Sequence, residues 1–153
     1  MTPSLGDSFP KEHLETLFDQ SLKEGAVFRL HVPHTSPPKT KRFVIIGINK
    51  SINSLAFIFI NSIINPNVIK SQHLQSLQLP MDASGRDYIE SDSYLDCSRL
   101  YEWSILSLKE KCTSNTKAHL GQISDVDLAD AKQLTASART IVRRLKKRYG
   151  LLN

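Results

Sequence analysis

The sequence predicts an α+β fold: a small barrel or strongly curved antiparallel sheet, preceded by one amphipathic helix and followed by a long one. Three observations carry that expectation. Residues 26–60 hold three β-prone runs separated by a proline-rich loop and a polar turn. Ahead of them Leu14, Leu17, Phe18 and Leu22 recur at helical spacing. Behind them Leu128, Ala131, Leu134, Ala138, Ile141 and Leu145 form one apolar stripe. The chain of 153 residues reads as a single domain, 1–153, long enough to bury a substantial core.

Residues 10–24 form the first helical segment. Pro10 suits a first helical turn, and Gly25 suits the position just past the end. Residues 26–32 are the first strand, with Val27, Phe28, Leu30 and Val32 as its apolar members. Residues 33–41 hold Pro33, Pro37 and Pro38, and proline cannot donate to a ladder, so this is a loop. Residues 42–48 and 55–60 are near-continuous apolar runs joined by a polar turn, which predicts a hairpin. Being apolar on both faces, the two runs belong in the middle of a sheet covered on each side.

Further on the pattern weakens. Residues 61–72 are irregular, with a turn at Asn65-Pro66-Asn67. Residues 73–79 alternate weakly and read as a short edge strand, 80–86 as a loop, and 88–99 as one or two short strands. A short helix from Ile105 to Cys112 completes the barrel region, 25–120. The last helix, 124–149, starts at Ser124, which accepts from the amide three residues on while Asp127 points back, a capping box with Asp in place of Glu. Gly150 ends it.

Composition excludes several classes. No apolar run reaches spanning length and the N-terminus has no secretory pattern, so no membrane association and a cytoplasmic location are expected. Cys97 and Cys112 lack zinc-pair spacing, and Cys97 reads as a small core residue. His13, His31, His34, His73 and His119 do not fall at ligand spacing with cysteines or carboxylates, so neither metal nor cofactor is expected. The glycines are scattered singly, which argues against a phosphate loop, and no G-x-S-x-G elbow is present. The net charge is +5, with the excess in Arg139, Arg143, Arg144, Lys146, Lys147 and Arg148. Such a surface favours polyanions or an acidic protein segment. The same cations also suit the negative end of a helix dipole.

The order of elements resembles the PemK/MazF-like toxins of bacterial toxin–antitoxin systems. The residues that carry the resemblance are Gly25-Ala26-Val27-Phe28 at the first strand, Lys41-Arg42-Phe43-Val44-Ile45-Ile46 at the second, and Phe57-Ile58-Phe59-Ile60-Asn61-Ser62 at the third. Asp96-Cys97-Ser98-Arg99 resembles the late strand with its aspartate, and Gly121-Gln122-Ile123-Ser124-Asp125-Val126-Asp127-Leu128 the entry into the last helix. The resemblance covers residues 25–141 and implies an SH3-like β-barrel, a homodimer, and a metal-independent endoribonuclease acting on single-stranded RNA. In that scheme the ribose 2′-hydroxyl attacks the neighbouring phosphate, leaving a 2′,3′-cyclic phosphate and a free 5′-hydroxyl. It also implies a cognate antitoxin, whose acidic or amphipathic segment would wrap the basic dimer.

The catalytic pair expected on this basis is Arg42 and Ser62. In-line attack builds charge on non-bridging phosphate oxygens, and a fixed guanidinium offers them two parallel donors, with a hydroxyl as a third. Arg42 opens its strand and Ser62 follows the close of the next, so antiparallel pairing brings them to one edge. Lys41, Lys39, Asn61 and Arg99 are the expected substrate contacts. Ordinary roles exist for several of them: a solvated charge or surface ion pair for Arg42, local backbone bonding for Ser62, and an Asp96–Arg99 pair. Phe43 stands where the family carries proline, which keeps open a catalytically inactive member of the same fold that binds nucleic acid or a partner protein. A plain interaction domain docking through its C-terminal helix is a third reading.

Overall fold

The computed structural model describes residues 10–63 and 71–152. Helix α1 (Lys11–Ser21) leads into strands β1 (Ala26–Val32), β2 (Lys39–Asn49) and β3 (Ser54–Asn61). Helix α2 (Gln72–Ser76), strands β4 (Gln78–Met81), β5 (Ser93–Asp96) and β6 (Tyr101–Ser104), helix α3 (Ile105–Ser114) and strand β7 (His119–Gln122) follow. Helices α4 (Asp125–Ser137) and α5 (Arg143–Arg148) close the chain. The architecture is α+β, around a curled antiparallel sheet ordered β4-β5-β3-β2-β1-β7. The outer edge of β3 is shared: its C-terminal end pairs with β5 through Ile60↔Leu95, and its N-terminal half pairs with β6 through Leu55↔Trp103 and Phe57↔Tyr101. Among the described residues no helix is long and apolar enough to cross a membrane.

The β2–β3 hairpin sits in the middle of the sheet with cover on both sides, as its two apolar faces require. Alternation along the strands sorts the side chains into two unlike layers. Phe28, Phe43, Ile45, Phe57, Phe59 and Trp103 form an aromatic layer, covered by Phe18 of α1 and Leu108 of α3. Val27, Val44, Ile46, Ile58, Ile60 and Leu95 form an aliphatic layer, covered by Ala131 of α4 and by Ala138 and Ile141 beyond it. A bulge between Ile45 and Gly47 bends β2. A Cβ on Gly47 would lie 2.6 Å from Cβ of Tyr149, so glycine lets the C-terminal segment close onto the bulge.

The polar turn of the hairpin does more than reverse the chain. Asn53 adopts a left-handed conformation at φ 52°, which asparagine tolerates better than most residues. Its carbonyl accepts from Ile105 N at 3.1 Å and its side-chain Oδ1 from Leu106 N at 3.3 Å, so it docks the start of α3.

Four expectations need correction. The edge strand expected over 73–79 is instead the helix α2, capped by Ser71 Oγ accepting from Leu74 N, followed by β4, which does lie at the sheet edge. The loop expected over 33–41 ends earlier, because β2 begins at Lys39 and pairs with β1 up to Val32↔Lys39. Arg42 therefore stands inside its strand rather than opening it. The expected helix 124–149 is two helices with a break at 138–142. Thr135 Oγ1 donates back to Ala131 O, Arg139 N donates to His73 Nε2, and the buried Lys146 donates to Ala136 O at 2.8 Å and Ala138 O at 2.7 Å. These contacts serve the free end of α4 and let Ala138 and Ile141 turn into the aliphatic layer. Finally, Ser124 caps α4 by accepting from Asp127 N, but the Asp127 carboxylate takes Arg86 (Nε to Oδ2, 3.0 Å) instead of pointing back. The turn expected at Asn65-Pro66-Asn67 lies outside the described residues.

Two predictions arise here. Lys146→Met removes two charge-assisted bonds from the end of α4 and should cost about 1–3 kcal/mol in urea unfolding. The second concerns Glu102 on β6, which accepts from Arg148 Nη1 at 3.0 and 2.8 Å and from the Tyr149 hydroxyl at 2.5 Å. Burial opposes its ionisation, but the Tyr149 and Arg148 bonds outweigh burial and hold its carboxyl below the ordinary value. A depressed carboxylate stabilises the fold above its unfolded pKa, and that stability disappears as pH falls through the folded value. Thermal stability should thus decline as pH drops below 4.5. The decline should be shallower in Glu102→Gln.

Candidate functional site

The β2–β3 hairpin carries Arg42 and Ser62 to one end of the sheet. Arg42 pairs with Ile60, and Ser62 directly follows the last residue of β3. Positions 42, 60 and 62 share the aliphatic face by alternation. Arg42, Thr40 and Ser62 line one side of a cavity of 340 Å³, and Glu90, Ser91 and Ser93 line the other. The expected pair therefore opens into one polar space at one edge.

Arg42 is only partly engaged. Its Nη2 lies 3.4 Å from Glu90 Oε1, and the Glu90 side chain is 88% exposed. At that length and exposure an ion pair contributes little. The Arg42 Nε is buried and has no hydrogen-bond partner among the described residues. A buried, unmade donor costs about 1–3 kcal/mol. Across the ladder Arg42 faces Arg29 of β1, on the same face of the sheet. Like charges directly opposite one another are destabilising. Among the described residues no carboxylate pairs with Arg29. In the next row His31 stands opposite Thr40. Arg42 and a wall of hydroxyls make a place for an oxyanion, with Arg29 on the neighbouring strand.

The remaining expected residues belong to the other face of the sheet, although Lys41 also borders this cavity. Lys39, Lys41 and Asn61 alternate onto the aromatic face. Lys41 Nζ donates to Asn61 Oδ1 and stands 5.2 Å from the centre of the Phe59 ring. Burial first, and Lys39 second, push the Lys41 ammonium below its ordinary value. Arg99 stacks its guanidinium 5.5 Å from the Tyr101 ring, which lies 4.7 Å from that of Phe59. Lys41, Asn61 and Arg99 thus gather around the Phe59–Tyr101 pair at the same end of the hairpin as Arg42 and Ser62, and Lys41 also borders the Arg42 cavity.

Other candidates resolve as structural. Asp96 does not pair with Arg99; its Oδ1 accepts from Gln78 Nε2 at 2.8 Å, from Ser98 N at 3.1 Å and from Ser98 Oγ at 2.5 Å, which fixes the turn after β5. Burial pushes the Cys97 thiol up to about 12, so it remains protonated at neutral pH and acts as core. Of the C-terminal cations, Lys146 is buried under α4 and Arg148 is held by Glu102.

Phe43, where the resemblance has proline, points away from the cavity. Its ring lies 5.9 Å from that of Phe28 and 4.7 Å from that of Phe57, inside the aromatic layer. Sequence reasoning missed Arg29, Glu90, Ser93 and Tyr101. Arg29 is recoverable once β1 is registered against β2, because it is the direct partner of Arg42. Glu90 carries no sequence signal, being one acid in a loop. No protein-family model matches this chain, and no curated protein matches it.

Proposed function

We propose that the chain is a metal-independent endoribonuclease of the toxin–antitoxin kind, built on an SH3-like barrel and cutting single-stranded RNA through 2′-hydroxyl attack. The observation that supports this most is Arg42, whose buried Nε lacks a partner among the described residues and which opens with Ser62 into one polar cavity. The scissile phosphate sits there, its non-bridging oxygens taking the Arg42 guanidinium and the Ser62 hydroxyl. Arg29 adds charge from the neighbouring strand. The strand then crosses the end of the hairpin, and the next nucleotide meets Lys41, Lys39, Asn61 and the Arg99–Tyr101 stack on the other face, where base stacking is tolerant of sequence. A cytoplasmic homodimer restrained by an acidic antitoxin segment completes the reading.

The test is incubation with RNA in EDTA. Fragments bearing 5′-hydroxyl ends are the expected product, and induced expression should arrest growth. A second reading, an inactive member that binds nucleic acid, is favoured by the Glu90 carboxylate standing against Arg42; RNA that is bound yet stays whole selects it. Lys41→Ala should weaken binding of varied sequences alike and lower the salt slope by about 1, as read by titration at several salt concentrations.

A further inference from the structure

Cleavage through the 2′-hydroxyl needs a group that takes its proton, and neither Arg42 nor Ser62 supplies one. A guanidinium is all donor, and a serine hydroxyl is a poor proton acceptor. Among the described residues lining the Arg42 cavity, Glu90 is the one carboxylate. Its Oε1 stands 3.4 Å from Arg42 Nη2, beside the place assigned to the phosphate. The backbone beneath it is anchored: Ile89 is 6% exposed in the aliphatic layer, and Ser93 Oγ donates to Ser91 O on the way into β5. An exposed carboxylate on a fixed backbone can release Arg42 to a ligand and remain at the cavity mouth. Besides Glu90, the charged groups among the described lining residues are Arg42 and Lys41, both from β2; the end of β3 and the segment entering β5 present Ser62, Ser91 and Ser93. His31 of β1 stands directly opposite Thr40, the row beyond Arg42 on the same face.

Resting on the endoribonuclease reading, we propose that Glu90 is the general base of the reaction. The incoming phosphodiester takes the Arg42 donors and opens the Arg42–Glu90 pair. A Glu90 carboxylate oxygen accepts the 2′-hydroxyl proton as the bond from the 2′-oxygen to phosphorus forms and the bond from phosphorus to the 5′-oxygen breaks. The departing 5′-oxygen takes a proton from water, and the hydroxide left is neutralised by the proton on Glu90. The products are the cyclic phosphate and the 5′-hydroxyl, with no water consumed and the carboxylate restored.

The experiment measures single-turnover cleavage of a ribo-oligonucleotide by wild type and Glu90→Gln from about pH 4 to about pH 8, the range that separates carboxylate from imidazole titration. Binding of the uncleavable 2′-deoxy strand is measured alongside. The expected result is a loss of about 10²- to 10⁴-fold in cleavage, with deoxy-strand binding unchanged or tighter. The acid limb of the wild-type profile should also vanish in Glu90→Gln. Because Glu90 is exposed, the variant should melt with the wild type. Cleavage equal to or faster than wild type overturns the proposal and leaves Glu90 as a mask over Arg42. An acid limb that survives in the imidazole range also overturns it. Wild type that binds the deoxy strand and never cuts RNA sinks the nuclease reading and Glu90's role together. Wild type that cuts, beside a Glu90→Gln that cuts equally, sinks Glu90 alone.

Discussion

Arg42→Ala is expected to reduce RNA cleavage by about 10²- to 10³-fold or more, the loss seen when one preorganised donor to a developing oxyanion is removed. Growth arrest on induced expression should disappear with it. The fold should not suffer. Among the described residues, Arg42 gives up only a long contact to an exposed glutamate, and its removal eliminates a buried donor without a partner and relieves the like charge of Arg29 across the ladder. Thermal unfolding of the variant should match wild type or rise slightly. Arg42→Lys should recover little activity, because an ammonium is a point charge without the two parallel donors of the fork. Full cleavage by Arg42→Ala, in a protein that melts normally, would falsify the placement of the scissile phosphate. An Arg42→Ala protein that no longer folds would show that the residue's role is structural.

The fold was legible where the chain repeats a physical pattern. The bounds of β1, the central hairpin and the start of α4 at Ser124 follow from alternation, apolar runs and a cap. The break between α4 and α5 was not legible, because the apolar stripe continues in phase through Ala138, Ile141 and Leu145. What stops the helix is tertiary: His73 from α2 takes an amide, and Lys146 reaches back to the carbonyls. Strands β6 and β7 are each four residues long, too short for a period to declare itself.

The candidate site was half legible for a related reason. Antiparallel order placed Arg42 and Ser62 at the same end of the hairpin, and they do line one cavity. The division across the sheet was also implicit, since neighbours such as Lys41 and Arg42, or Asn61 and Ser62, face opposite ways in a strand. The edge argument considered where along the strand a residue stands and left out which side it takes. Glu90 and Tyr101 arrive from segments whose position depends on the β3 edge being shared by β5 and β6, a tertiary fact that local sequence does not encode.

Phe57→Ala is expected to be the most destabilising single change, costing about 3–5 kcal/mol. Phe57 is fully buried at the centre of β3. Its ring lies 4.7 Å from Phe43, 5.5 Å from Phe59, 5.6 Å from Tyr101, 5.8 Å from Trp103 and 5.0 Å from His34. Truncation leaves a void bordered by rings, which are stiff and collapse poorly, so the cavity penalty adds to the lost transfer energy. A protein of this size has only about 5–15 kcal/mol of stability in total. Phe57→Leu keeps most of the volume and should cost appreciably less, and the two variants compared in urea separate cavity from hydrophobicity. The loss should reach the substrate path as well. Tyr101 stacks on Phe57 and carries Arg99, while Phe59 carries Lys41. In Phe57→Ala held below its melting temperature, oligonucleotide binding should weaken although none of the removed atoms touches solvent. Unchanged binding would mean that the Phe59–Tyr101 pair is not part of the path, and that the strand is held on the Arg42 face alone.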